Sequence, residues 1–191
     1  MRIYLAGPDV FLPNAGEIAA AKKDVCARYG AIGVFPTDPI ADSAADAAQE
    51  RFLEIYLRNE AHIRQCDALI ANLTPFRGPS ADAGTVYELG FMRALGRPVA
   101  GYANTTRHFA ARTRDFLGAA AQQRPDGGWV DGEGLSLEDF GRHDNLMIDG
   151  GIAAAGGSLI TRDVPEHLRW QDLGAFEACV ATLMQPLRGA A

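Results

Sequence analysis

Two carboxylates, Asp82 and Glu88, lie in the stretch of this sequence that is best placed for chemistry. Residues 66–102 contain an apolar run (68–73), a loop rich in Pro and Gly, a short helical segment and a second apolar run (98–102). This order predicts a strand, a loop, a helix and a parallel strand, the βαβ unit of an α/β fold. Asp82 then follows the carboxyl end of a strand and Glu88 lies one turn into the helix, where such folds build their binding sites.

Glu88 has two interpretations, and spacing alone does not choose between them. On a helix over 85–95 it shares a face with the apolar residues Phe91 and Met92. A carboxylate is unusual on such a face unless it has a hydrogen-bond or ion-pair partner or a role in function. The other interpretation is structural. The segment from Thr85 to Glu88 fits a capping box, in which the Glu88 side chain would bond back to the backbone of Thr85.

Composition excludes several classes of function. The 191 residues are 48% apolar and 22% charged, which is ordinary for a globular protein with a substantial core. A net charge of −6 argues against a surface for nucleic acid or for an anionic membrane. No apolar run reaches the roughly 18 residues that a membrane span needs, and the N-terminus shows no targeting signal. We therefore expect a cytoplasmic protein.

Cysteine and histidine are spaced for neither disulfides nor metal. The three cysteines, Cys26, Cys66 and Cys179, are odd in number and far apart, which predicts buried and reduced thiols. The four histidines have no spacing typical of metal ligands. We expect neither a metal nor another cofactor.

The apolar runs predict a flavodoxin-like (Rossmann-like) α/β fold, a parallel sheet of about five strands with helices on both faces. Residues 1–191 are expected to form a single domain with an irregular excursion at about 104–144, which includes a glycine-rich, mobile loop at 125–134. Residues 37–48 are expected to form a loop that could cover a ligand. Strands are predicted at 2–6, 32–35, 68–73, 98–102 and 158–161, and helices at 14–29, 50–65, 85–95, 107–121 and 172–187.

A strand order of 2-1-3-4-5 would bring the loops after strands one and three to a single crevice, because the order reverses between those strands. Tyr4, Asp9, Asp82 and Glu88 would then converge on that crevice. Gly7 lies in the first of these loops, where a residue without a side chain lets a ligand or another backbone come close.

Four motifs occur in order along the chain: I-Y-L-A-G-P-D-V-F, C-D-A-L-I-A-N-L-T-P-F-R-G, D-A-G-T-V-Y-E-L-G and, from residue 145, N-L-M-I-D-G. In this combination they resemble the nucleoside 2-deoxyribosyltransferases, and the resemblance covers about residues 2–102 and 145–150. Any one of the motifs alone would be weak, whereas their joint occurrence is specific.

The resemblance implies transfer of a 2-deoxyribosyl group between nucleobases through a covalent glycosyl-enzyme intermediate, with a deoxynucleoside and a free nucleobase as partners. Glu88 matches the family's nucleophile, Tyr4 the tyrosine that holds it, and Asp82 an aspartate near the sugar and base. Asn145 matches an asparagine that reaches a neighbouring subunit's site and contacts the 5′ side of the sugar, which implies a homodimer or higher homo-oligomer with shared active sites. The residues expected to bind substrate are Gly7, Asp9, Phe11, Asn59 and Asn145.

The chemistry of the reaction fits these roles. Breaking a glycosidic C–N bond develops oxocarbenium charge on the sugar, which an opposed carboxylate can stabilise and capture. The departing base needs a proton or a hydrogen-bond donor. Where some members of the family have an acid for this purpose, the chain has Asn59, which cannot deliver a proton. Asp82 or water is then left for that role, and the preferred base stays open.

Two other functions fit the same residues. A hydrolase would use Glu88 in the same way but would pass the sugar to water. Residues 77–80 (Arg-Gly-Pro-Ser) could hold the phosphate of a 5′-monophosphate substrate, or could form an ordinary turn. A noncatalytic nucleotide-binding domain on the same fold would use Glu88 only as a helix cap.

Overall fold

Five parallel strands form the central sheet of the computed structural model, which describes residues 1–40 and 50–185. They are β1 (Arg2–Ala6), β2 (Ile32–Val34), β3 (Ala68–Asn72), β4 (Val99–Ala103) and β7 (Leu159–Thr161). Their order across the sheet is β2-β1-β3-β4-β7. A second, antiparallel sheet consists of β5 (Gln122–Gln123) and β6 (Trp129–Val130). The predicted fold is confirmed, and the strand order, which the sequence left open, is 2-1-3-4-5.

The described part of the chain has six α-helices, five of which cover the two faces of the sheet. Helices α1 (Ala15–Arg28) and α6 (Gly174–Met184) pack on one face. Helices α2 (Arg51–Gln65), α3 (Ala83–Ala94) and α5 (Leu146–Ala154) pack on the other. Helix α4 (Phe109–Leu117) precedes the small antiparallel sheet.

Both faces of the central strands are apolar because helices cover both of them. Ile3 and Ile70 point into the core beneath α1 and α6. Their neighbours Tyr4, Leu69 and Ala71 point to the opposite core, beneath α2, α3 and α5. This double burial explains why β1 and β3 are continuous apolar runs in the sequence, without alternating polar residues.

The region predicted to be irregular, residues 104–144, contains more regular structure than its sequence indicates. Strands β5 and β6 pair across the glycine-rich segment, and Gly127 turns the chain with a φ of 87°, which favours glycine. The sequence pattern also gives no indication of α5, because Gly150 and Gly151 weaken the helical signal. Of the predicted covering loop at 37–48, residues 41–49 lie outside the described residues.

The remaining expectations concern thiols, membranes and metals. All three cysteines are free and buried, as predicted. Among the helices of residues 1–40 and 50–185, none is long and apolar enough to cross a membrane. The same residues contain no group of three or more His, Cys, Asp and Glu side chains that could hold a metal ion.

A buried ion pair lies beneath the loop that follows β1. The Nζ of Lys22 is 2.7 Å from Oδ2 of Asp9, and both side chains are 1% exposed. Asn72, at the end of β3, donates from Nδ2 to both carboxylate oxygens of Asp9 at 3.2 Å. The ammonium also lies 5.4 Å and 5.3 Å from the ring centroids of Tyr102 and Phe176, within range of cation–π attraction. The pair therefore ties α1 to the ends of β1 and β3.

Lys22→Met should lower the free energy of unfolding by about 3–5 kcal/mol, because it leaves the Asp9 carboxylate buried without its cation. Urea denaturation followed by circular dichroism measures the loss. Lys23→Met is the matched control, since Lys23 pairs with Asp38 at a partly exposed position and should cost no more than about 1 kcal/mol. Equal losses in the two variants would contradict the special role of Lys22.

Candidate active site

A cavity of about 370 Å³ opens at the carboxyl edge of the sheet. The loop after β1, the residues that follow β2, helix α2 and the N-terminal turns of α3 form its described walls. The structure therefore brings together most of the residues that were predicted to form a site, and it adds one that was not. The lining residues that could contact or react with a ligand are Gly7, Phe11, Arg58, Asn59, Asp82 and Glu88.

Glu88, on the wall of this cavity, accepts a hydrogen bond from Tyr4, which lies behind that wall. Tyr4 is buried in β1, and its hydroxyl donates to Oε1 of Glu88 at 2.7 Å. Nδ2 of Asn59 lies 3.4 Å from the same oxygen and donates a longer, weaker bond. Because both donors use Oε1, the second carboxylate oxygen is the one available to a ligand.

Asp82, and not Thr85, is the N-cap of α3. Its Oδ2 accepts hydrogen bonds from the backbone nitrogen of Thr85 at 2.9 Å and from the Thr85 hydroxyl at 3.0 Å. The helix thus begins three residues earlier than the capping-box interpretation requires. That interpretation of Glu88 is wrong, since the carboxylate turns to Tyr4 instead of to the helix end.

The environment of Glu88 opposes its ionisation. Burial raises the pKa of the Glu88 carboxyl to about 7, and the negative charge of Asp82 adds to the rise, while the hydrogen bonds from Tyr4 and Asn59 oppose it. The pKa of Tyr4 is raised well above its ordinary value, first by burial and then by the charge of Glu88. Tyr4 therefore keeps its proton and acts as a donor that orients Glu88.

Of two predicted substrate-binding positions in the loop after β1, Gly7 lines the cavity and Asp9 does not. The Asp9 carboxylate is committed to Lys22 and Asn72 and lies behind the cavity wall. A Cβ at Gly7 would stand 2.3 Å from Oδ2 of Asp9 and 2.8 Å from Cβ of Asn72. Gly7 is thus required by the ion pair, because no side chain fits between the loop and that pair.

Asn145 lies outside the described wall of this cavity and caps α5. Its Oδ1 accepts from the backbone nitrogen of Met147 at 3.0 Å, and its Nδ2 donates to Glu138 at 2.8 Å. The preceding residue, Asp144, is buried and accepts from the backbone nitrogen of Ala81 at 3.0 Å and from the Ser80 hydroxyl. The start of α5 is therefore fastened to the loop that carries Asp82.

Sequence reasoning missed Arg58, which lines the cavity beside Asn59. Within the described part of the chain, Nε of Arg58 and Oδ1 of Asn59 are buried and have no hydrogen-bond partner. A buried polar atom without a partner is costly, so a donor and an acceptor left unpaired at one cavity indicate a polar ligand. The signal in the sequence was helical spacing: Arg51, Ile55, Arg58 and Asn59 recur along one face of α2 and all line the cavity.

Comparison with known proteins places this geometry in context. A family model described as nucleoside 2-deoxyribosyltransferase matches residues 3–147. An uncharacterized protein of Schizosaccharomyces pombe is 35% identical over an alignment of 167 residues, which covers 81% of this chain and 78% of that protein. A solved 2-desoxiribosyltransferase from Leishmania mexicana is 32% identical, with a TM-score of 0.61 over 96% of both chains. A conserved protein from Enterococcus faecalis, 20% identical, shares the fold with a TM-score of 0.57 over 96% of this chain and 98% of that one.

The raised pKa of Glu88 predicts a pH-dependent effect of Glu88→Gln on stability. The folded state prefers the protonated carboxyl, so the wild-type protein loses stability as pH rises from about 4.5 through about 7. At pH 8 the variant should be more stable than wild type by about 2–3 kcal/mol, and at pH 4 the two should be nearly equal. Urea unfolding at a series of pH values measures this difference.

Glu60→Gln provides a control of opposite sign. The pKa of Glu60 is lowered, chiefly by hydrogen bonds from Tyr56 and then Tyr87. Its carboxylate stabilises the fold at pH 8 and loses that effect as pH falls, so the variant should be less stable than wild type at pH 8. A stability difference for Glu88→Gln that does not change with pH would show that Glu88 titrates in its ordinary range.

Proposed function

The chain belongs to the nucleoside 2-deoxyribosyltransferase family, and from this premise we propose that it transfers a 2-deoxyribosyl group between nucleobases through a covalent intermediate on Glu88. The observation that carries the proposal is the 2.7 Å bond from Tyr4 to a half-buried Glu88 in a cavity at the sheet edge. That bond orients the carboxylate and leaves one of its oxygens for the sugar.

Two displacements follow from this arrangement. In the first, a carboxylate oxygen of Glu88 bonds to the anomeric carbon of the sugar while the C–N bond breaks and its electron pair leaves with the base. In the second, a nitrogen of the acceptor base bonds to that carbon and the carboxylate departs. Two inversions retain the configuration, and the first base leaves before the second enters, so the kinetics should be ping-pong.

The leaving base acquires negative charge, and we assign its stabilisation to Arg58. Asn59 can donate or accept a hydrogen bond to the base but cannot supply a proton. Asp82 is occupied in capping α3 and contributes negative charge. Arg58 offers a cationic donor whose buried Nε has no partner among the described residues, and a preorganised donor of this kind stabilises negative charge as it develops. Asp82 is then placed to accept a hydroxyl of the sugar.

The protein is further proposed to act as a homodimer or higher homo-oligomer with shared sites. Asn145 lies outside the described wall of its own chain's cavity, at the start of a helix whose Met147 is 74% exposed. Phe52 on α2, near the cavity, is 67% exposed. Apolar side chains of this size are common at subunit contacts. In such an assembly the partner's Asn145 would contact the 5′ side of the sugar.

Glu88→Gln should lower the rate of transfer by at least about a thousandfold, because the amide cannot form the glycosyl ester. Liquid chromatography of 2′-deoxyinosine incubated with adenine or cytosine measures the new deoxynucleoside. Glu60→Gln is the matched control, since this nearby carboxylate also accepts tyrosine hydroxyls but lies outside the described cavity wall.

The same assay separates the alternatives. Free base released at the same rate without an acceptor, and faster from a 5′-monophosphate, would establish a hydrolase. Binding without any turnover of deoxynucleosides would establish a noncatalytic domain. Full activity in Glu88→Gln would refute the covalent route.

Arg58→Gln should slow transfer from 2′-deoxyinosine by about a hundredfold, the usual effect of removing one donor from developing negative charge. The effect should shrink to a few-fold with 7-methyl-2′-deoxyguanosine, because its base leaves as a neutral molecule. Steady-state rates with the two donors measure the contrast. Arg64→Gln, on the exposed side of α2, serves as the control. Equal losses with both donors would assign Arg58 to binding or folding instead.

A further inference from the structure

A second cavity of about 310 Å³ adjoins the first, and Phe11 lines both. Its walls come from the loop after β1, the loop after β3 and the connection from β7 to α6. It therefore lies where the strand order reverses between β1 and β3, the position at which open α/β sheets bind ligands. The proposed transfer reaction makes no use of it. Its main side chains are Phe11, Phe76, Arg77, Arg169 and Trp170.

Three aromatic rings form the apolar part of this cavity. Phe11 and Phe76 stack with their centroids 5.4 Å apart and their planes at 15°. Trp170 meets Phe76 edge-on, at 6.2 Å and 81°. Aromatic ring faces can stack against a planar group such as a nucleobase, and this stacking does not depend on which polar atoms the group carries.

Two guanidinium groups lie against those rings. Arg77 lies 4.6 Å from the centroid of Phe76 and 5.3 Å from that of Phe11. Arg169 lies 5.2 Å from the centroid of Trp170. Contact with a ring restrains a guanidinium while its N–H groups can still bond to an anion. The described carboxylate nearest to either group is Glu166, which is highly exposed and 3.5 Å from Arg169.

The backbone around both arginines is held in place. Arg77 has a φ of 55°, a left-handed conformation that is unfavourable for residues other than glycine and marks functional positions more often than chance. A backbone bond from Phe76 to Ser80 closes its turn at 3.0 Å. Asn104, which is buried, donates to the backbone oxygen of Arg169 at 2.7 Å.

We propose that this arginine–aromatic cavity is a phosphoryl-binding subsite that admits a nucleotide. Two fixed guanidiniums match a phosphate, which favours bidentate pairing with arginine. The volume exceeds that of a phosphate, and the rings accommodate a base or sugar beside it. The phosphate has two possible sources: a substrate nucleotide that extends from the first cavity across Phe11, or a separate nucleotide. The choice of a nucleotide rests on the proposed function, whereas the anion site rests on the geometry alone.

The experiment uses Trp170 as a reporter. The chain has two tryptophans, so Trp129→Phe leaves Trp170 as the only one, and Glu88→Gln prevents turnover. In this double variant, fluorescence titrations with 2′-deoxyadenosine 5′-monophosphate and with 2′-deoxyadenosine give the two dissociation constants. The nucleotide should bind about tenfold more tightly or better, as expected for a charge-assisted pair, and the preference should fall as salt is added.

Adding Arg77→Gln and Arg169→Gln should abolish that preference without changing nucleoside binding. Arg107→Gln with Arg124→Gln removes the same charge from two exposed arginines outside both cavities and should preserve it. Arg77→Gly should weaken nucleotide binding while its urea midpoint is equal or higher, because glycine suits the positive φ. Equal affinity for nucleotide and nucleoside, or a preference that survives loss of both arginines, would overturn the proposal.

Two further titrations identify the source of the phosphate. If inorganic phosphate and AMP change Trp170 fluorescence without displacing 2′-deoxyadenosine, the subsite takes a separate nucleotide. If the deoxynucleotide displaces 2′-deoxyadenosine in a competitive manner, one ligand spans both cavities. Failure of the transfer reaction alone would leave the arginine-dependent fluorescence response in place, so the two proposals fail separately.

Discussion

The buried pair of Lys22 and Asp9 is the interaction on which the rest of the structure depends. Removing two charges from water costs free energy that their attraction and hydrogen bonds return only in part, so the pair is better explained by the geometry that it fixes. It joins α1 to the ends of β1 and β3 through Asn72. The loop above it, Pro8–Phe11, is the wall shared by both cavities. The positions of both sites therefore follow from one interaction that no ligand touches.

The ionisation of Glu88, in contrast, depends on opposing effects on its pKa. Burial and the charge of Asp82 raise its pKa to about 7, while donors on one oxygen lower it. A carboxylate with few partners is poorly solvated, which would favour the proposed attack on a cationic sugar carbon. Because Tyr4 does not titrate near neutrality, the orientation of Glu88 is independent of pH even though its charge is not.

Sequence patterns predicted the sheet because β1 and β3 are apolar on both faces and leave long, unambiguous runs. They did not predict α5, because its two glycines have low helix propensity. This helix is stabilised instead by the burial of Ile148 and Ile152 in the core. Spacing alone did not decide the role of Glu88. Its partner Tyr4, 84 residues away in the chain, was expected only because the motifs resemble a family in which a tyrosine holds this carboxylate. The lack of a hydrogen-bond partner for Nε of Arg58 among the described residues is a property of three-dimensional packing and cannot be read from the sequence.

The close approach at Gly7 has a consequence for redesign. A side chain there would strike Asp9 and Asn72 before it reached any ligand, so a library that varies Gly7 would sample misfolded proteins instead of altered selectivity. Phe11 and Asn59 line the same cavity without contacting the ion pair. Positions on one wall thus divide into those that shape the cavity and those that support the loop, and only the first group can vary to accept a different ligand.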